Sequence, residues 1–288
     1  MRMKNHQTVI EVNTFDVFTN IIDQMEHRYW VFRGHGKYGW HIESTLARYF
    51  RSHAGNIQSG SHYPREADAI RKFRRSAHLH LSHLPEDNDL LNWLAVMQHF
   101  GAPTRLIDFT HSPYVALFFA VEGATPRIDF EEKLDDEEIN KRYGPYEVHA
   151  VHLKSVLSYA GEILGDDKTE DRKYFKIGEG KAQTKEFVEF FEGIWQNQRQ
   201  VAQQGLFLVP SKIDLDIDEF LKNCPSESQS YPDTSWFIFR FPGGLSNYYE
   251  MVTRLLRANV TAEALFPGLD GIARSISMRY YEPRTRLR

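Results

Sequence analysis

Gln98-His99-Phe100-Gly101-Ala102-Pro103-Thr104-Arg105-Leu106-Ile107-Asp108-Phe109-Thr110-His111-Ser112-Pro113-Tyr114-Val115-Ala116-Leu117-Phe118-Phe119-Ala120 decides how this chain is read. Gly101 and Pro103 end the helical period that precedes them, and Thr104–Phe109 alternates as a strand. Ser112 can then accept a first-turn N–H, with Pro113 at the first helical position. Tyr114 to Ala120 is apolar on every side, so this helix must be buried. Gln98, His99, Thr104, Arg105, Asp108 and Thr110 crowd against it. Inside a core, every one of those groups would need an internal partner. The stretch therefore reads as the wall of a ligand site, with a purely structural polar network as the alternative.

Outward from this centre, Tyr29-Trp30-Val31-Phe32-Arg33 reads as a strand ended by Gly34. Phe15, Phe18, Ile22 and Met25 recur at helical spacing behind a Thr14 or Asn13 cap, and Ser44 caps a short helix. A long helix is predicted from Pro64 or Glu66 to about His83, stopped by Pro85, and another from Leu90 to Phe100. Glu147–Leu153, Gly205–Val209 and Trp236–Phe241 read as strands, and Phe187–Trp195 and Leu245–Leu256 as helices. Thr261 caps a last helix. The acidic run 129–138 reads as a solvated face, and residues 161–182 as a polar loop. Helices and strands alternate without a βαβ rhythm, so the expected class is α+β: a mostly antiparallel or mixed sheet with flanking helices in one compact domain. Residues 1–27 read as a helical lead-in to a domain over 28–288.

Composition narrows the function. The chain has 288 residues, 41% hydrophobic and 14% aromatic, enough for a sizeable core. A net charge of −4 does not announce a nucleic-acid binder, although Arg71, Lys72, Arg74 and Arg75 line one helix face and the tail beyond Arg279 is basic. Cys224 is the only cysteine, so no disulfide framework and no multi-cysteine metal site is expected. No apolar window suits a signal peptide or a membrane span, which leads to the expectation of a cytoplasmic protein.

Several motifs are decoys. Gly34-His35-Gly36-Lys37-Tyr38-Gly39 fits G-x-G-x-x-G, but Trp40–Glu43 looks extended where a dinucleotide fold needs a helix to begin. Gly180-Lys181 has Phe175 where a P-loop needs glycine. His80 and His83 would share a helix face, yet no carboxylate partners them and no metal is expected. Arg33 is different. Beside a glycine at a strand end, it can offer a planar fork to a phosphate or carboxylate, or pair with Asp108. Arg199 and Gln203, four apart, would share a face in a third polar clump.

The tripeptide Phe32-Arg33-Gly34, then Ser44–Arg48, Glu66, Gln98–Thr110 and Pro113–Ala120, resemble in order the FRG domain family. The resemblance is strong over about 28–122, and Arg199–Phe207 and Leu265–Gly271 look like later signatures, within 199–209 and 260–275. His35 and Phe109 depart from the residues common in the family. The resemblance implies a bacterial or phage-associated protein of toxin or defence type. Its layout is also similar to that of ADP-ribosyltransferases, with Arg33, Thr110 and Gln203 at the parallel positions.

On that basis the expected substrate is NAD. Arg33 and Arg105 would meet phosphates, His99 and Thr110 would hydrogen-bond ribose, and Tyr114 or Tyr38 would stack, with Gly34, Gln98, Thr104 and Arg199 as further substrate-binding residues. Asp108 and Glu66 are candidates for the catalytic group as carboxylates, and Gln203, an amide, by position alone, so His99, Asp108 and Gln203 are the expected catalytic groups. A protein or nucleic-acid target could accept the transferred group. The alternative is a nucleic-acid-binding or ligand-sensing module without catalysis.

Overall fold

The computed structural model describes residues 6–53, 62–125, 136–165, 177–180, 185–193 and 198–279. Its strands are β1 (Gln7–Glu11), β2 (Trp30–His35), β3 (Ile107–Thr110), β4 (Tyr146–His152), β5 (Val188–Phe191), β6 (Gly205–Pro210) and β7 (Trp236–Phe241). They form one sheet in the order β1-β7-β4-β2-β3-β6-β5. β1 runs parallel to β7, and every other neighbouring pair is antiparallel. The fold is α+β with a mixed sheet, as the residue pattern led one to expect.

Both faces of the sheet are covered. Val31, Val151, Trp236 and Ile238 enter one core, and Phe32, Ala150, Phe237 and Phe239 enter the other. This is why Trp236–Phe239 reads as continuously apolar instead of alternating. The helix Pro113–Ala124 lies on the second face, capped by Ser112, whose hydroxyl accepts from Val115 N. It presses on β2 so closely that a Cβ at Gly34 would sit 2.0 Å from the Ala116 carbonyl oxygen. Gly36 and Gly123 meet backbone to backbone in the same way. Gly34 therefore does not end the strand; it lets the strand continue beneath the helix.

Other boundaries moved for local reasons. The long helix spans His62–Ala77 and stops short of Pro85, which places His80 and His83 beyond it. Val188–Phe191 forms an edge strand on β6 instead of a helix. Its Val-Glu-Phe-Phe run suits either state by pattern, and pairing with β6 decides it. The helix Leu153–Leu164 occupies the start of the expected 161–182 loop. Within that loop 166–176 and 181–182 lie outside the described residues, as does 129–135 of the acidic run. Within the expected helical lead-in, Gln7–Glu11 contributes a strand to the sheet, besides the helix Phe15–Ile22.

One surface carboxylate ties distant segments together. Glu26 accepts from Trp30 Nε1 at 2.9 Å, Gln229 N at 2.6 Å and Ser230 N at 2.9 Å. Burial opposes its charge, but hydrogen bonds, the Ser230 amide foremost, overrule it and lower its pKa from 4.5 to about 2. The folded-state pKa is depressed, so this stabilisation is full above 4.5 and is lost as pH falls towards 2. Urea midpoints measured across that window are expected to fall more steeply for the wild type than for Glu26→Gln. Parallel slopes would refute this role for Glu26.

Candidate functional site

β2 and β3 touch at one register pair, Phe32 with Thr110. Beyond it β2 continues through Arg33, Gly34 and His35 paired to β4, while β3 pairs to β6. The splay between them opens a cleft of ≈ 380 Å³. Ligand pockets commonly measure roughly 300–1,000 Å³. Arg33, Gln98, His99, Asp108 and Thr110 line this cleft, joined by Arg199 and Gln203 from the far side.

Arg33 spans the splay. Its Nε donates to His35 Nε2 at 3.0 Å, and its Nη1 donates to the Asp108 carbonyl at 2.6 Å. Its partner is thus the backbone of Asp108 and not the carboxylate. Nη2 has no hydrogen-bond partner among the described residues, so donors remain for a guest. Burial lowers the Arg33 pKa to about 10, opposed by the nearby Asp108 charge, with Arg48 adding to the fall. At neutral pH the group stays cationic.

Asp108 is exposed at the cleft and held by a directed relay. Leu106 N donates to Thr104 Oγ1 at 3.2 Å, which commits the Thr104 proton to Gln98 Oε1. The Gln98 amide therefore turns its NH₂ outward and donates to Asp108 Oδ1 at 2.9 Å. Oδ2 is left without a hydrogen-bond partner among the described residues.

Arg199 faces the same space. Its guanidinium stands 4.4 Å from the centroid of Phe266, and Arg274 stands 4.0 Å from the same ring. Burial lowers the Arg199 pKa, as does Arg274, while Asp108 opposes them. His99 is exposed, and burial followed by the Arg199 charge lowers its pKa, which favours the neutral ring at pH 7. Gln203 lines the cleft, but its amide nitrogen is spent on the Leu265 carbonyl at 3.0 Å. Thr110 is likewise engaged, donating to Gln203 O at 2.7 Å and accepting from Ser112 N at 3.0 Å.

Five of the candidate residues, Arg105, Glu66, Thr104, Tyr114 and Tyr38, do not line the cleft. Arg105 is fully buried; it grips Glu66 through Nε at 2.7 Å and through Nη2, and donates to Ser211 O at 3.1 Å. It is a core strut that joins the helix His62–Ala77 to the end of β6, and it removes Glu66 from the list of candidate acids. Thr104 is buried and acts only through Gln98. Tyr114 stacks on Phe15 at 6.1 Å, away from the cleft. Tyr38 likewise donates to the Phe241 carbonyl at 2.8 Å. Sequence reasoning missed Trp40, which is 50% exposed and lines the cleft. A tryptophan directly after a glycine-rich bend was the available signal.

His35, Glu147 and His149 bring three ligand-type atoms within 4.8 Å of one another. The lone pair of each imidazole is already used, and each Glu147 oxygen already accepts one hydrogen bond. His35 Nε2 accepts from Arg33, and Glu147 accepts from Arg240 Nε at 3.0 Å and Gly39 N at 3.1 Å. His149 Nδ1 accepts from the Trp236 indole at 3.2 Å, so its proton sits on Nε2. A ligating imidazole normally turns its other nitrogen to an acceptor. This cluster therefore fits a metal poorly.

Residues 28–128 match the family model of the FRG domain. The matched stretch supplies Arg33, Gln98, His99, Asp108 and Thr110, while Arg199 and Gln203 come from outside it. No curated protein and no solved structure matches the chain. No helix among the described residues is long and apolar enough to cross a membrane.

Proposed function

We propose that the cleft is a nucleotide site that takes NAD and cleaves its nicotinamide–ribose bond. The observation that carries this reading is the pair of guanidinium groups, Arg33 and Arg199, facing one cleft that also presents the Asp108 carboxylate. Two cations suit a pyrophosphate, and a partly free carboxylate suits ribose hydroxyls or the oxocarbenium charge that develops at C1′. Trp40, half exposed at the cleft, supplies a ring on which an aromatic group could stack.

In this mechanism the C1′–N bond breaks and its electron pair leaves with nicotinamide, which becomes neutral. Asp108, oriented by Gln98, stabilises the developing positive charge. The oxygen of water, or of an acceptor hydroxyl, forms the new bond to C1′, and its proton passes to Asp108. His99, neutral at pH 7, can hydrogen-bond ribose. The toxin or defence role expected from the family resemblance accords with consumption of NAD. The nucleic-acid reading loses support because Arg71 pairs with Asp68 and Arg74 with Asp87, which partly neutralises that stripe.

Incubating the protein with NAD and following nicotinamide by chromatography tests the reaction. Release by the wild type, absent in Asp108→Asn, is expected. A folded wild type that leaves NAD intact would overturn the cleavage. Trp40→Ala is expected to weaken ADP-ribose binding by about five- to a hundredfold, as loss of a stacking ring does. Unchanged affinity would remove Trp40 from the site.

A further inference from the structure

Arg33 and His35 lie two apart on β2 and share one face of the sheet. Their register partners on β4 are His149 and Glu147. Further along the same face Val31 and Val151 are core residues, so three buried polar side chains and the half-buried Arg33 stand where apolar side chains would otherwise pack. His35 is 3% exposed, Glu147 1% and His149 2%. Burying such groups is costly unless their hydrogen bonding is specified.

Two of the four ring nitrogens have specified roles, while His35 Nδ1 and His149 Nε2 lack a hydrogen-bond partner among the described residues. A guanidinium can only donate, so the bond from Arg33 Nε requires a lone pair on His35 Nε2. The indole of Trp236 can only donate, so His149 carries its proton on Nε2, which lies 3.6 Å from Glu147 Oε2. Glu147 is meanwhile occupied by Arg240 and Gly39. The Trp40 backbone favours protonation of His35 but is outweighed. Burial, then His149 and Arg33, hold its pKa well below the ordinary value.

We propose that His35 is a positioning residue: its neutral imidazole, with the lone pair fixed on Nε2, sets the plane of the Arg33 guanidinium for an incoming phosphate. The inference rests on the nucleotide reading of the cleft. The bonds to His35 and to the Asp108 carbonyl anchor the fork at two points and leave Nη2 for the ligand. A protonated His35 would put a donor against a donor and push Arg33 out of line.

Two measurements test this. In ¹⁵N-histidine NMR spectra of the wild type at neutral pH, His35 is expected as the Nδ1–H tautomer. An Nε2–H tautomer or an imidazolium would overturn the proposal without any variant. In calorimetric titrations with ADP-ribose, His35→Phe is expected to bind about tenfold more weakly, as loss of a charged hydrogen bond predicts. His35→Gln places an acceptor oxygen near the lost nitrogen and is expected to recover most of that loss. The Arg33 Nε–H signal should be protected in the wild type and the Gln variant and lost in the Phe variant. Equal affinity in all three proteins, or a Gln variant no better than Phe, would overturn it. A wild type that binds no ADP-ribose yet keeps the tautomer and the protected signal would fail the nucleotide reading and uphold the Arg33–His35 geometry.

Discussion

Arg33→Ala is expected to abolish nicotinamide release and to weaken ADP-ribose binding by at least about thirtyfold, the lower end of what truncating a hydrogen-bonded charge against its partner costs. The loss has two sources. The ligand loses a cation whose unused Nη2 faces it, and the splay between β2 and β3 loses the donor that holds the Asp108 carbonyl at 2.6 Å. Asp108 would then shift with its strand, so rate and affinity fall together. Arg33→Lys is expected to rescue little. An ammonium cannot reach His35 Nε2 and the Asp108 carbonyl as one planar fork does. Nicotinamide assays beside thermal melts check this: activity must be lost in a protein that still unfolds cooperatively. An alanine variant retaining wild-type turnover would remove Arg33 from the site.

Breaking the Arg105–Glu66 pair should have the largest effect on stability. Both partners are buried and the guanidinium also serves backbone carbonyls at the end of β6. Glu66→Ala leaves that cation uncompensated, at a cost of about 3–5 kcal/mol. For a chain of this size the melting temperature would drop by roughly 5–8 °C. Glu66→Gln keeps an acceptor and should lose less. ADP-ribose affinity of the folded fraction should hardly change, because neither residue lines the cleft. A Glu66→Ala protein as stable as the wild type would contradict the strut, and a selective loss of ligand affinity would return Arg105 to the binding residues.

Local chemistry was legible where local chemistry decides. Ser112 and Pro113 announced the helix start, Ser44 and Thr14 capped as their side chains allow, and Trp236–Phe241 could only be a buried strand. The polar crowding around Gln98–Thr110 was equally readable, and Arg33, Gln98, His99 and Asp108 do share a cleft. What the residues alone could not divide was the cluster itself. Arg105 and Asp108 are three apart with similar polarity, yet one is sealed in the core and the other exposed. That division depends on Glu66, which a distant helix brings to Arg105, and on Gln98, which a Thr104 hydrogen bond turns towards Asp108. Gly34 was read as room for a ligand, whereas the Ala116 carbonyl alone already demands a glycine there. Val188–Phe191 became a strand because β6 had an open edge, a non-local fact.

The most direct test is a crystal structure of the wild type soaked with ADP-ribose. The account predicts the pyrophosphate within hydrogen-bond distance of Arg33 and Arg199, ribose hydroxyls at Asp108 and a ring against Trp40. ADP-ribose bound elsewhere, or an empty cleft at saturating concentration, would contradict it.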